Sequence, residues 1–312
     1  MELFRSTTRI DFLRHKHLAY VFSGLLIVAS IASLATRGLN LGLDFTGGTL
    51  IEVSYEQPVE PMAVRSALAA GGFSDALVQT FGAATDLVIR LAPRSAEESS
   101  AALSDAVVAS LRQQSDQQIE VRRVEYVGPQ MGEELANQGL LAMIYVMIGI
   151  LLYISFRFQW RFSLGAVAAL IHDVIITFGV ISFLAIEFDL TVVAALLAVV
   201  GYSLNDTIVV FDRIRENFRV IRKATPLEVV NTSINQTLSR TIMTSGTTLI
   251  VLVVLFYLGG EIIHAFAQTL IIGIVIGTYS SIYVASALAI ELGISKQDLM
   301  PVAKEGLPDS MP

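Results

Sequence analysis

The chain has 312 residues, of which 54% are hydrophobic and 16% charged, with a formal net charge of −7. So apolar a composition excludes an ordinary water-soluble domain and points to a membrane protein. The absence of cysteine excludes disulfides and thiolate metal sites, and the acidic balance argues against a nucleic-acid partner.

The chain opens on a basic tail, residues 1–17, carrying Arg5, Arg9, Arg14 and Lys16. An apolar run over residues 18–36 follows. It is too long for a cleavable signal core and lacks a small-x-small site, so it reads as a retained membrane anchor. Residues 37–134 form the one long polar stretch. From Gly38 to Glu134 it carries six basic and fourteen acidic side chains, a net of −8, so the low isoelectric point belongs to this segment alone.

Within it, LNLGLDFTGGTL (Leu39–Leu50) leads into a first strand, Thr49–Tyr55. Gly47-Gly48 lacks the Gly-Lys-Ser/Thr ending of a phosphate loop and is expected to be a tight turn at the membrane surface. A helix is predicted over Pro58–Ala70, closed by Gly71-Gly72. Ala76–Phe81 and Asp86–Leu91 alternate as two strands, with GAAT between them as a hairpin loop. Ser95-Ala96-Glu97-Glu98 is a capping box, predicting a helix from Ala96 to Gln113. Ile119–Val127 is a last strand whose apolar parity shifts at Arg122-Arg123, the mark of a bulge. The order is βαββαβ, a ferredoxin-like arrangement.

Residues 135–290 supply five further apolar runs, Leu135–Phe156, Phe162–Ile186, Leu190–Phe211, Thr241–Leu258 and Ala265–Ile290, ahead of a tail at 291–312. The expected fold is a polytopic α-helical membrane protein with six transmembrane helices and one α+β ferredoxin-like domain. Lys and Arg concentrate in the N-terminal tail, after the second run, between the fourth and fifth, and in the C-terminal tail. The intervening short loops IEFD and GGEIIH have none. Both termini are therefore expected on the cytoplasmic side and residues 37–134 outside.

Ionisable residues inside these runs are costly and need a reason. His172-Asp173 sits in the third run, with Asp173 about 16 Å past its start. Asn205 and Asp206 sit in the fourth, Asp206 about 8 Å inside the cytoplasmic boundary. Asp212 and Arg213 mark the solvated end of that helix. Thr225-Pro226-Leu227-Glu228 is a capping box with proline at the first helical position, so a helix begins at Pro226 and continues into the fifth run. Along it Thr237, Arg240, Thr241, Thr244, Thr247 and Thr248 form one polar stripe. Arg240 reaches the depth of Asp206, and the two helices run antiparallel. Two readings stay open: a pair that opens and closes with protonation of Asp206, or a permanent ion pair that fixes packing. His172 and Asp173 likewise read either as steps in a proton path with Asp206 or as a hydrogen-bonded helix contact. Gly273 and Gly277 in the sixth run make a small-xxx-small packing face, followed by Thr278, Tyr279, Ser280 and Ser281. The sequence has no HExxH, GxSxG or paired-carboxylate metal signature, and His264 is too isolated for a metal site. No cofactor is expected beyond the proton, and no enzymatic activity.

GLDFTGGT (Gly42–Thr49), VGPQMGEEL (Val127–Leu135), His172-Asp173, GYSLNDTIVVFDRIREN (Gly201–Asn217), SRTIMTSGTTL (Ser239–Leu249) and GTYSSIYVA (Gly277–Ala285) together resemble the SecD/SecF family of bacterial protein export, on its SecF side. The resemblance covers nearly the whole chain. It implies half of a resistance–nodulation–division-like, twelve-span unit completed by SecD in the inner membrane. It also implies association with the SecYEG channel, YajC and YidC, contact with unfolded preprotein and lipid, and use of the proton gradient to promote late translocation on the periplasmic side. In that family the proton-linked residues map onto Asp206 and Arg240, facing a carboxylate supplied by SecD. Half of a small-molecule or lipid exporter, or a non-transporting scaffold, remains the alternative.

Overall fold

The computed structural model describes residues 8–93, 100–115, 117–221 and 223–294. The capping box expected at Ser95 lies outside them. Among the described residues six helices are long and apolar enough to cross a membrane. They are α1 (Lys16–Arg37), α5 (Pro129–Arg157), α6 (Trp160–Phe183), α7 (Leu190–Val220), α8 (Pro226–Leu258) and α9 (Glu261–Ser280). The last continues through a π turn, Ser281–Ala285, into α10 (Ser286–Glu291). Several outrun their apolar runs. Polar first and last turns extend α5 back to Pro129, α7 on to Val220 and α8 back to Pro226. The boundary expected at 134 therefore falls inside α5. Proline at the first position pre-sets the start of both α5 and α8.

Between α1 and α5 lie β1 (Asn40–Leu41), the one-turn helix α2 (Leu43–Thr46), β2 (Gly48–Tyr55), α3 (Pro61–Ala70), β3 (Leu77–Phe81), β4 (Ala83–Leu91), α4 (Ser100–Gln114) and β5 (Ile119–Val127). The four-stranded antiparallel sheet has the order β3-β4-β2-β5. With α3 and α4 as its crossovers, this is the split βαββαβ arrangement expected of the sequence. One face of the sheet packs Ile51, Val53, Leu87 and Ile89 against Val64, Leu68, Val107 and Leu111 of the two helices. The bulge falls where the parity shift places it: Glu52 pairs with Arg123 and Val53 with Val121. Arg122, left over, reaches Asp86 at 3.1 Å. The β3–β4 hairpin departs from expectation. Strand β4 begins at Ala83, because Gly82, at φ 74°, turns the chain by itself and Phe81 pairs with Ala83. The helix predicted from Pro58 starts at the next proline, Pro61.

The Gly-Gly segment joins the two parts. Gly47 and Gly48 have φ of 65° and 121°, and a side chain on Gly48 would collide with the carbonyl oxygen of Leu91. They end α2, which packs on the start of α5 where a Cβ on Gly132 would stand 3.0 Å from the Gly47 nitrogen. β1 pairs in parallel with β6 (Glu187–Phe188), the link between α6 and α7.

Candidate functional site

The deepest polar cluster is centred on α6. Asp173 is 1% exposed and His172 4%. The His172 Nδ1 atom lies 2.9 Å from Asp173 Oδ1, and its Nε2 lies 3.0 Å from the Ser23 hydroxyl on α1. That hydroxyl meets the Tyr279 hydroxyl at 3.0 Å, and Tyr279 donates in turn to the Ala19 carbonyl. The other Asp173 oxygen accepts from Ser203 on α7 and from Ser280 on α9, the latter at 2.7 Å. Side chains from four helices are thus tied through one carboxyl group. Each polar atom has a partner, the condition under which burial is tolerated.

Close packing brings these groups together. A Cβ on Gly273 would strike Val199, and one on Gly277 would stand 2.9 Å from the Ser203 side chain, so the two glycines let α9 press against α7. Gly179 does the same for α1, where Ser30 occupies the space a side chain would need. Ser23, Ser30 and Ser33 make a buried serine stripe on α1, and Ser33 bonds Ser182 at 3.0 Å. Sequence reasoning missed this stripe. Its seven- and three-residue spacings were the available signal.

Asp206, 3% exposed, is buried differently. Its Oδ2 atom and the Thr241 hydroxyl are both buried without a hydrogen-bond partner. Its electrostatic neighbours are Thr241 and Arg240, across the contact between α7 and α8. Among the described residues no ion pair joins Asp206 to Arg240, and Arg240 is exposed. The helices run as expected, and the pair is open. Likewise no hydrogen bond among the described residues links Asp206 to Asp173. Ser203, which holds Asp173, lies one turn before Asp206 on the same helix.

The polar stripe of α8 divides in two. Thr237 and Thr241 are buried, Thr237 bonding its own helix at Ser233 and Ile234. Thr244 is half-buried and bonds the Arg240 carbonyl at 3.0 Å. Arg240 and Thr247 are exposed, as is Asn205 on α7. Asp212 is not simply solvated: Arg157 of α5 holds it at 2.7 Å and Arg215 at 3.2 Å. Among the described residues no group of His, Asp and Glu is placed to hold a metal ion.

A family model described as "Protein export membrane protein SecD/SecF, C-terminal" matches residues 107–295, and one described as "SecD/SecF GG Motif" matches residues 32–59. The chain is 55% identical to the protein translocase subunit SecF of Vibrio alginolyticus, over 100% of this chain and 99% of that one. To the protein of the same name from Escherichia coli O157:H7 it is 48% identical, over 95% and 92% of the two chains. The crystal structure of SecDF from Thermus thermophilus, described as a translocon-associated membrane protein, superposes with a TM-score of 0.83 at 38% identity. The match covers 93% of this chain and 39% of that longer one. A SecDF structure in a super-membrane-facing form gives 0.69 at the same identity and coverage.

Proposed function

The chain belongs to the SecD/SecF family of protein export membrane proteins, and from that membership we propose that it pairs with a SecD-type partner as a proton-driven accessory subunit of the Sec machinery. In this reading it sits in the bacterial inner membrane with both termini cytoplasmic and the α+β domain outside. It works beside the SecYEG channel, with YajC and YidC, and promotes the late translocation of unfolded preprotein.

The observation that carries this is the open arrangement of Asp206 and Arg240. A buried carboxyl oxygen without a partner, beside an unpaired arginine on the next helix, is a costly state to keep for packing alone. It suits a pair with two states. Deprotonated, Asp206 attracts Arg240; protonated, it releases it. Asn205, Arg240 and Thr247 are exposed at membrane depth, where a polar face needs protein or water rather than lipid. A partner carboxylate there completes the relay. The hydrogen-bonded cluster of His172 and Asp173 holds α7 beside it and offers a continuation through Ser203. The driving force is adequate: one charge crossing the membrane is worth roughly 2.3 kcal/mol per 100 mV.

In assembled complexes, Asp206→Asn and Arg240→Met are expected to abolish gradient-dependent preprotein export while leaving copurification with the SecD-type partner intact. Full export by either assembled variant would sink the proposal.

A further inference from the structure

The α+β domain joins the membrane helices through two glycine-bearing connections, Gly47-Gly48 into β2 and Gly128 into α5. A third link is not covalent. Arg90 on β4 forms an ion pair with Glu187 on β6, and the two side chains are 16% and 33% exposed. Leu87, Ile89 and Leu91 of β4 face the helices of the domain, so the strand alternation turns Arg90 to the opposite face. That face looks across a cavity of about 310 Å³ toward Asp44, Glu187 and Asp189.

Two of these three acids are committed locally. Asp44 accepts from the Leu190 nitrogen at 3.0 Å, and Asp189 caps α7 by accepting from Val192 at 2.8 Å. Of the three, Glu187 is the one ion-paired to the four-stranded sheet among the described residues. It lies over Gly42, where a Cβ would stand 3.1 Å from its Oε1 atom.

We propose that the Arg90–Glu187 ion pair is the latch that docks the α+β domain on the membrane helices. The charged groups around the cavity are Arg90 on β4, Arg123 and Glu125 on β5, Glu52 on β2, Asp44 on α2 and Asp189 ahead of α7. Burial raises the Glu187 carboxyl above the ordinary range. Arg90 opposes this, and Asp189 and Asp44 add to it. Glu187 and Arg90 are positioning residues, and their role does not depend on Asp206, which lies farther along α7 among the membrane helices.

The chain has no cysteine, so spin labels at Met62→Cys on α3 and Leu184→Cys after α6 report the domain position by pulsed electron paramagnetic resonance. The sample is the full complex in lipid vesicles. The native pair should show a docked population. Arg90→Glu should shift the docked-to-undocked ratio roughly tenfold toward longer distances. Glu187→Gln should shift it the same way, since it also removes the ion pair. An unchanged distance in both variants would overturn the latch.

Discussion

Asp173 and Asp206 are both acids buried in apolar helices, and the structure solves their burial in opposite ways. Asp173 has a partner for each oxygen: His172 on one, Ser203 and Ser280 on the other. Asp206 has an oxygen with none. In our proposal the first holds the helices together and the second changes its partner. Asp173→Ala should therefore destabilise the folded protein by about 3 kcal/mol, since it orphans several buried polar groups, whereas Ser280→Ala should cost about 1 kcal/mol. Thermal unfolding in detergent measures both, and equal effects would refute the hub. The burial of the two acids is legible in the sequence from their depth alone. Their partners are not. Serine is ordinary in an apolar helix, and which serine meets the acid is decided by how α1, α6, α7 and α9 pack. The unformed contact with Arg240 is invisible for the same reason: helical depth matches two residues without fixing their side chains.

At the scale of elements, local signals succeeded where chemistry is local. The Thr225 hydroxyl and the Glu228 carboxylate close the expected capping box of α8, with the Thr225 nitrogen donating at 2.8 Å. Thr225→Ala should cost about 1 kcal/mol, read as an unfolding midpoint. Gly48→Ala should cost more, about 2 kcal/mol, because it combines positive φ with a collision against Leu91. If Gly48→Ala proved as stable as the native chain, the tight junction of β2 and β4 would be wrongly described. The bulge at Arg122 was readable because it shifts the alternation of apolar residues. The hairpin loop was overestimated because Ala83-Ala84-Thr85 has no strong pattern, and only the partner strand draws it into β4. The π turn at Ser281–Ala285 has no signature in composition. Across it the Ser286 hydroxyl donates to the Ser281 carbonyl at 2.9 Å.

For the whole molecule, exposure is uneven in kind. The outer faces of α1 and α5 present Leu25, Val28, Leu140 and Ile144, the chemistry of a lipid boundary, whereas Asn205, Arg240 and Thr247 present polar atoms at membrane depth. The chain spans 39% of the length of the SecDF chain it superposes on, and its polar face is where we place the missing partner. Orientation can be checked through the exposed residues Leu77 and Lys223. Leu77→Cys should react with an impermeant thiol reagent added outside the cytoplasmic membrane and Lys223→Cys should not, and the reverse pattern would invert the topology. The central claim is that Asp206 exchanges a proton as the assembled complex works. Infrared difference spectra of that complex, recorded as a proton gradient is imposed, test it most directly. The account predicts a carboxyl band that vanishes in Asp206→Asn and shifts in Arg240→Met; a carboxyl difference spectrum unchanged by Asp206→Asn would contradict it.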